Sequence, residues 1–367
     1  MMIIKSSFGD YSVEEMPDLD AAIALCADSA GARWLDSQQK KRAMFIIADN
    51  RLFELPHAES LARLDPSRTI KIEASEEEKS YGRIEHVFES LLQAGFRRGC
   101  TLVAIGGGVT QDITCFVASV LFRGVPWNLI PTTLLAQCDS CIGSKSSVNI
   151  GQFKNQIGTF YPPRRVFIVN EVLKTLSLDD LRSGLGEVIK LHLISGGEDY
   201  MRMREQLILG SPAFHQMSSL ISSSLSIKKR FIERDEFDKG VRNLLNYGHT
   251  FGHAYESVSS YSVPHGIAVT LGVVSATFVS ERLGLAAAGH FEEVNELARP
   301  FYSPYEKQLA GTDVETILDT MRLDKKSTRM EVNCILTRGP GKMEKVALNP
   351  EKQLKPLLVE LKSKLFA

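Results

Sequence analysis

The sequence predicts an α/β amino-terminal half followed by a mainly α-helical carboxyl-terminal half, and three observations carry that prediction. Short apolar runs at Ala43–Ala48, Thr101–Ile105, Trp127–Ile130 and Val166–Val169 alternate with amphipathic stretches, the βαβα rhythm of a parallel sheet. Thr101–Ile105 runs directly into Gly106-Gly107-Gly108 and a helix-like segment, the local pattern in which a helix N-terminus faces a phosphate. After residue 178 helical periods follow one another and strand-like runs almost disappear. The predicted domains are 1–175, an α/β nucleotide-binding domain, and 176–367, a mainly helical domain that binds metal and substrate.

In order, residues 1–40 read as a strand and an amphipathic helix, and Ala43–Ala48 as a strand ending in Asp49-Asn50. An acid at the carboxyl end of such a strand suits the adenosine side of a nucleotide, and also occurs in many α/β domains. Thr69–Glu73 predicts a strand, Glu76–Lys79 an acidic helix start and Ile84–Leu92 an amphipathic helix. The three glycines form either a diphosphate cradle or a tight turn, since the G-x-G-x-x-G fingerprint is absent. An apolar helix, the Phe122-Arg123-Gly124 turn and a strand ending in Pro131-Thr132-Thr133 follow. A Gly/Ser-rich loop then holds Asp139, Lys145, Lys154 and Asn155. That loop suits a phosphorylated polyol, or is simply solvated. Predicted helices cover 178–194, 199–207, 218–234, 267–283, 292–299, 314–322 and 350–365, with a strand at 331–336.

Composition excludes more than it identifies. The chain has 367 residues, 44% hydrophobic and 24% charged, with a net charge of −1. No basic field suggests nucleic acid or an anionic membrane surface, and no apolar run reaches the length of a membrane span. The cytoplasm is the expected compartment. The six cysteines lack disulfide-framework spacing. Cys138-Asp-Ser-Cys141 matches C-x-x-C, but no second pair completes a zinc site, and packed thiols are the better reading.

The chemistry concentrates in Arg242-Asn-Leu-Leu-Asn-Tyr-Gly-His-Thr-Phe-Gly-His253 and Pro264-His265-Gly266. As one helix, Arg242, Asn246, His249 and His253 share a stripe, facing either a polar cleft or solvent. Glu187 with His249 and His265 forms a two-histidine, one-carboxylate set suited to a catalytic divalent ion, with His253 an alternative ligand. Lys190 lies three residues from Glu187, on the same helix face. His57, His86, His192, His215 and His290 read as surface or core residues.

Together these motifs resemble the 3-dehydroquinate synthase family of sugar phosphate cyclases. The resemblance runs from about residue 46 to 345 and rests on Gly106-Gly-Gly-Val with Asp112, Phe122-Arg-Gly, Pro131-Thr-Thr-Leu-Leu-Ala-Gln, Asp139-Ser, Lys145, Lys154-Asn, Gly158-x-Phe-Tyr, Gly184-x-Gly-Glu-Val-Ile-Lys190, the Arg242–His253 motif, Pro264-His-Gly and Asp324-Lys-Lys326. It implies a homodimeric, NAD- and metal-dependent enzyme that oxidises a seven-carbon sugar acid phosphate, eliminates phosphate, returns the hydride and closes a ring by an aldol step.

Carried over by motif, Glu187, His249 and His265 would hold zinc or cobalt. Gly106, Gly107, Gly108, Asp112, Thr132 and Thr133 would hold the pyrophosphate and nicotinamide side of NAD, and Asp49, Glu76 and Lys79 its adenosine end. Lys145, Asn246, His253, Lys326 and a partner subunit's copy of Arg123 would surround the phosphate. Asp139, Lys154, Asn155, Lys190, Lys228 and Arg242 would hold hydroxyls and carboxylate, Asp238 would touch substrate, and Lys145 and Lys154 would also border the cofactor.

The chain departs from the family pattern at Thr110-Gln111 for Ile-Gly, Ser144 for Gly, Asp238 for Glu and Ile267 for Glu. The resemblance favours 3-deoxy-arabino-heptulosonate 7-phosphate as substrate. The alternatives are a paralogous cyclase acting on sedoheptulose 7-phosphate or glucose 6-phosphate, a metal-dependent NAD alcohol or polyol-phosphate dehydrogenase, and a non-catalytic NAD-binding relative.

Overall fold

The computed structural model describes residues 1–30, 39–40, 43–56, 58–151, 153–207, 214–322 and 331–366. The Asp324–Lys326 motif, with Lys326, lies outside the described residues, as does His57. Two compact units form, one from Met1–Leu176 with Ile232–Phe237 and the other from Ser177–Phe231 with Asp238–Ala367.

The first unit is built on a seven-stranded sheet of order β1-β2-β9-β6-β5-β3-β4. Its strands are β1 (Met2–Ile4), β2 (Tyr11–Met16), β3 (Met44–Asp49), β4 (Thr69–Ile72), β5 (Thr101–Gly106), β6 (Trp127–Pro131) and β9 (Arg165–Val169). Only β1 runs antiparallel to its neighbour. Strands β3, β5 and β6 are buried along their whole length, which explains why they appear in the sequence as continuous apolar runs rather than alternating ones. Helices α1 (Leu19–Ser29), α2 (Tyr81–Gln93) and α3 (Gly108–Val120) accompany the sheet.

From β3 the chain steps outward to β4 and then crosses back to β5 on the other side. That reversal is a topological switch point, where the carboxyl ends of adjacent strands open a crevice. Asp49 ends β3, and Gly106 ends β5.

Several local expectations change in this unit. Residues 1–40 contribute two strands before the helix, because Tyr11–Met16 pairs with both β1 and β9. Glu76–Lys79 forms a turn, not a helix start. Asn149 pins it by donating from Nδ2 to Glu76 O at 3.2 Å and Oε1 at 2.8 Å, and from its backbone N to Lys79 O at 2.9 Å. Lys154 and Asn155 sit on a hairpin of β7 (Val148–Ile150) and β8 (Phe153–Ile157) rather than in a loop.

The second unit comprises α4 (Leu178–Ser195), α5 (Gly197–Leu207), α6 (Phe214–Ile232), α7 (His249–Val258), α8 (His265–Arg282), α9 (His290–Tyr302), α10 (Val314–Arg322), the hairpin β10 (Val332–Thr337) and β11 (Met343–Leu348), and α11 (Lys355–Phe366). Ile232, the last residue of α6, belongs to the first unit. Strand β11 leaves no clear strand pattern in the sequence because its burial is mixed, and it forms by antiparallel pairing with β10. Helix α8 is buried from Gly266 to Ser280. Its hydroxyls are satisfied within the core, as where Thr277 and Ser275 meet the phenols of Tyr247 and Tyr255 at 2.6 and 2.9 Å.

Two glycines set how closely α4 and α8 approach. A Cβ on Gly186 would lie 2.2 Å from Gly266 O, and one on Gly266 would lie 1.9 Å from Ser183 O. This backbone-to-backbone contact brings Glu187 on α4 beside His265 at the start of α8.

A candidate metal and cofactor site

The predicted single helix from Arg242 to His253 is broken. Val241–Asn246 is a short 3₁₀ turn, and α7 starts at His249. Gly248 between them adopts φ +80°, and a Cβ there would sit 2.7 Å from Val273 N. Only glycine fits both the left-handed backbone and the contact with α8. The break removes the expected stripe of Arg242, Asn246, His249 and His253, and Asn246 instead donates from Nδ2 to Asn243 O at 2.9 Å.

What replaces the stripe is a triangle of imidazoles. Ring centroids lie 5.3 Å apart for His249–His253, 5.6 Å for His249–His265 and 5.6 Å for His253–His265. One ligand atom from each falls within 4.8 Å of the others. Glu187 Oε1 lies 3.4 Å from His265 Nε2 and 3.8 Å from His249 Nε2. The carboxylate is buried and ion-paired with Lys190 one turn along α4.

Glu256, which the sequence reading passed over, accepts from His265 Nδ1 at 3.1 Å. Its signal was present in the H-x-x-E spacing from His253. A carboxylate behind a ligating histidine orients the ring and raises its basicity. Burial lowers the His265 pKa, but Glu187 and Glu256 outweigh it and lift the value to about 10. Two carboxylates therefore draw positive charge to this point, and the nitrogen and oxygen donors suit zinc or cobalt. His249 and His265 therefore face two further donors, His253 and Glu187.

Three further cations assigned from sequence, Lys190, Lys228 and Arg242, are buried in this unit. Asp238 adopts φ +57°, and its carbonyl accepts from Asn243 Nδ2 at 3.1 Å. Ile267 is fully buried, so this departure belongs to the packing of α8.

In the first unit, α3 starts at Gly108 directly after β5. A Cβ on Gly106 would meet Thr110 Oγ1 at 2.4 Å, and one on Gly107 would meet Thr133 Cγ2 at 2.9 Å, whereas Gly108 faces open space. Thr132 N donates to Gly106 O at 3.0 Å. Gly108 at the N-terminus of α3 therefore has, among the described residues, no neighbouring side chain over its Cα.

Asp49 at the switch point is occupied by Arg51, whose Nη2 lies 2.9 Å from Asp49 Oδ2. Lys79 joins groups that the sequence reading sent to opposite ends of the ligands: Asp112 and Glu76 at 3.2 Å each, and Asn155 Oδ1 at 3.0 Å. Burial penalises the Lys79 ammonium, but Asp112 and Glu76 hold its pKa above the ordinary lysine value.

Asp139 lies on a π-helical turn, Ala136–Ser140, not in a loop. Lys145 is exposed beside Phe160, to which it is bridged, and Lys154 is half-buried on β8. Ser144 takes φ +66°, the conformation a glycine would adopt freely, with its hydroxyl 3.4 Å from Glu236 Oε1. Arg123 is exposed in a turn with φ +65°. Cys138 and Cys141 are buried thiols that donate to Leu135 O at 3.7 Å and Gln137 O at 3.5 Å.

Residues 69–183 match the family described as 3-dehydroquinate synthase N-terminal, and residues 184–327 match 3-dehydroquinate synthase C-terminal. The chain belongs to the 3-dehydroquinate synthase family. A 3-dehydroquinate synthase of Xylella fastidiosa strain M12 is 39% identical over 300 residues, spanning 78% of this chain and 80% of the relative.

Solved sugar phosphate cyclases share the fold. A 2-deoxy-scyllo-inosose synthase complexed with carbaglucose-6-phosphate, NAD+ and Co2+ aligns over 99% of both chains with TM-score 0.83 at 22% identity. The 2-epi-5-epi-valiolone synthase from Streptomyces hygroscopicus subsp. jinggangensis 5008, with NAD+ and Zn2+ bound, aligns over 99% of both with TM-score 0.78 at 24% identity. Among the described residues of this 3-dehydroquinate synthase family member, no helix is long and apolar enough to cross a membrane.

Proposed function

We propose that this chain is a phosphate-eliminating carbon–oxygen lyase that converts 3-deoxy-arabino-heptulosonate 7-phosphate to 3-dehydroquinate and phosphate, with NAD and a divalent metal bound. The observation that carries the reading is the convergence of Glu187, His249, His253 and His265 in a chain of this family. Gly106, Gly107 and Gly108 at the start of α3 would hold NAD, which would supply a reversible hydride acceptor, and Glu187, His249 and His265 would hold zinc or cobalt, which would supply polarisation of neighbouring substrate oxygens.

The open N-terminus of α3 receives the pyrophosphate, and Lys79 balances Asp112 and Glu76 beside it. Lys190, buried and ion-paired with Glu187, would orient a substrate hydroxyl as a donor. Arg242 offers the bidentate fork that a planar carboxylate matches, which favours a sugar acid over a neutral sugar phosphate. In the second unit Asn246 and His253 are assigned to the substrate phosphate, as is Lys145 in the first, and the phosphate itself would accept the proton removed as it leaves. Asp139, Lys154 and Asn155 in the first unit, and Lys228 and Asp238 in the second, are each assigned to substrate.

Phosphate release from 3-deoxy-arabino-heptulosonate 7-phosphate, sedoheptulose 7-phosphate and glucose 6-phosphate tests the assignment. The heptulosonate should be preferred, and Arg242→Ala should lower its specificity constant about ten- to a hundredfold through loss of a charge-assisted pair worth roughly 1.5–3 kcal/mol. Preference for either neutral sugar, with Arg242→Ala silent, would instead support the paralogous cyclase that the Ser144 and Asp238 departures suggest. Net NADH release would point to a dehydrogenase.

A further inference from the structure

Gln111 is one of the departures from the family pattern, and the structure gives it a partner. It stands on the fourth residue of α3, buried, directly before Asp112. Its Nε2 donates to Ser140 O at 2.7 Å, and Ser140 Oγ donates back to Gln111 Oε1 at 2.9 Å. Ser140 closes the π-helical turn Ala136–Ser140 and immediately follows Asp139.

The other end of that turn is held separately. Gln137 Nε2 donates to Pro131 O and Val169 O at 3.0 Å each, and Ala136 N donates to Thr133 Oγ1 at 3.2 Å. Asp139 therefore lies between two anchors. Gln137 ties its leading side to the sheet, and Gln111 ties its trailing side to the helix whose N-terminus forms the glycine cradle. A π turn is a rare, single-turn i→i+5 conformation, and here Gln111 and Gln137 supply side-chain bonds at its two ends. A glycine at position 111 would supply neither bond.

We infer that Gln111 is a positioning residue that sets the orientation of Asp139 by clamping Ser140 to α3. This rests on the reading of Asp139 as a group that holds a substrate hydroxyl. Gln111→Met keeps the length and bulk of the side chain while removing both polar atoms. In the NAD- and metal-loaded protein it should lower kcat/KM for phosphate release about tenfold, the scale of one to two buried neutral hydrogen bonds. In the ligand-free protein it should speed amide hydrogen exchange across Ala136–Ser140 by a similar factor and leave β5 unchanged.

Placed on an Asp139→Asn background, Gln111→Met should cost less than about twofold, because a residue acting through Asp139 has nothing left to position. Fully additive losses, or unchanged exchange across the turn, would overturn the inference. Ser140→Ala removes one bond of the pair and should show the same pattern at smaller size; it decides the question if Gln111→Met does not fold, and wild-type exchange there also overturns it. A wild-type protein that releases no phosphate from the heptulosonate would refute the functional reading alone, since the exchange measurement still decides the clamp.

Discussion

Neutralising Glu187 should weaken the protein twice, once without metal and once with it. The carboxylate is 1% exposed, ion-paired with a Lys190 side chain that is 3% exposed, and 3.4 Å from His265 Nε2. Removing one member of a buried pair costs about 3–5 kcal/mol, because the remaining charge keeps its desolvation penalty. In chelator, Glu187→Gln should therefore melt well below wild type, by roughly 6–20 °C at about 2–4 °C per kcal/mol for a unit of this size. A ligand that binds only the folded state adds about 2.7 kcal/mol at a hundred times its dissociation constant. Wild type should gain that from zinc or cobalt, and Glu187→Gln should gain less than about half of it. Glu187→Gln with Lys190→Met should regain part of the metal-free loss, since neither buried charge then remains. The assay is thermal unfolding in chelator and in excess zinc, with calorimetric titration of zinc into stripped protein. Equal melting of wild type and Glu187→Gln in chelator, together with equal zinc shifts, would refute this account of the centre.

Other outcomes follow from particular contacts. Gly248→Ala forces an L residue into φ +80° against Val273 and should cost about 2–4 kcal/mol, combining left-handed strain with overpacking, with weaker metal binding because His249 follows directly. Burial holds the His192 pKa below its ordinary value of 6.5, with Val188 O at 2.7 Å and Ser223 Oγ at 2.8 Å on its two ring nitrogens. Below pH 6.5 the unfolded chain binds a proton that the folded one resists, so stability should fall as pH drops from there towards the folded pKa, and His192→Gln should flatten that slope in urea titrations. If a second subunit's Arg123 completes the site, sedimentation should find a dimer at assay concentration and Arg123→Ala should raise KM for the heptulosonate; a fully active monomer would contradict this.

Much of the site's chemistry is readable because it depends on local order. A strand that runs into three glycines and a helix declares its geometry within a dozen residues, since backbone freedom and helix capping are set by neighbours in the chain. The same local logic misplaced the Arg242–His253 stripe. Helical spacing is a property of an unbroken helix, and the sequence offers Gly248 as easily for a tolerated helix glycine as for a break. Contact with Val273 on α8 decides for the break.

The sequence by itself determined the α/β-then-helical order, the glycine-rich turn from β5 into α3 and the residue types able to hold a divalent ion. Tertiary structure alone brought Glu187, His249, His253 and His265 together, placed Glu256 behind His265, joined Lys79 to Asn155 and Asp112, and clamped Gln111 to Ser140. It also drew Ile232–Phe237 into the first unit, away from its neighbours in sequence. The division has a physical cause. Periodicity, capping and turn chemistry act between residues a few positions apart, whereas the Gly186–Gly266 approach and every buried ion pair between elements depend on segments whose distance in the chain carries no record of their distance in space.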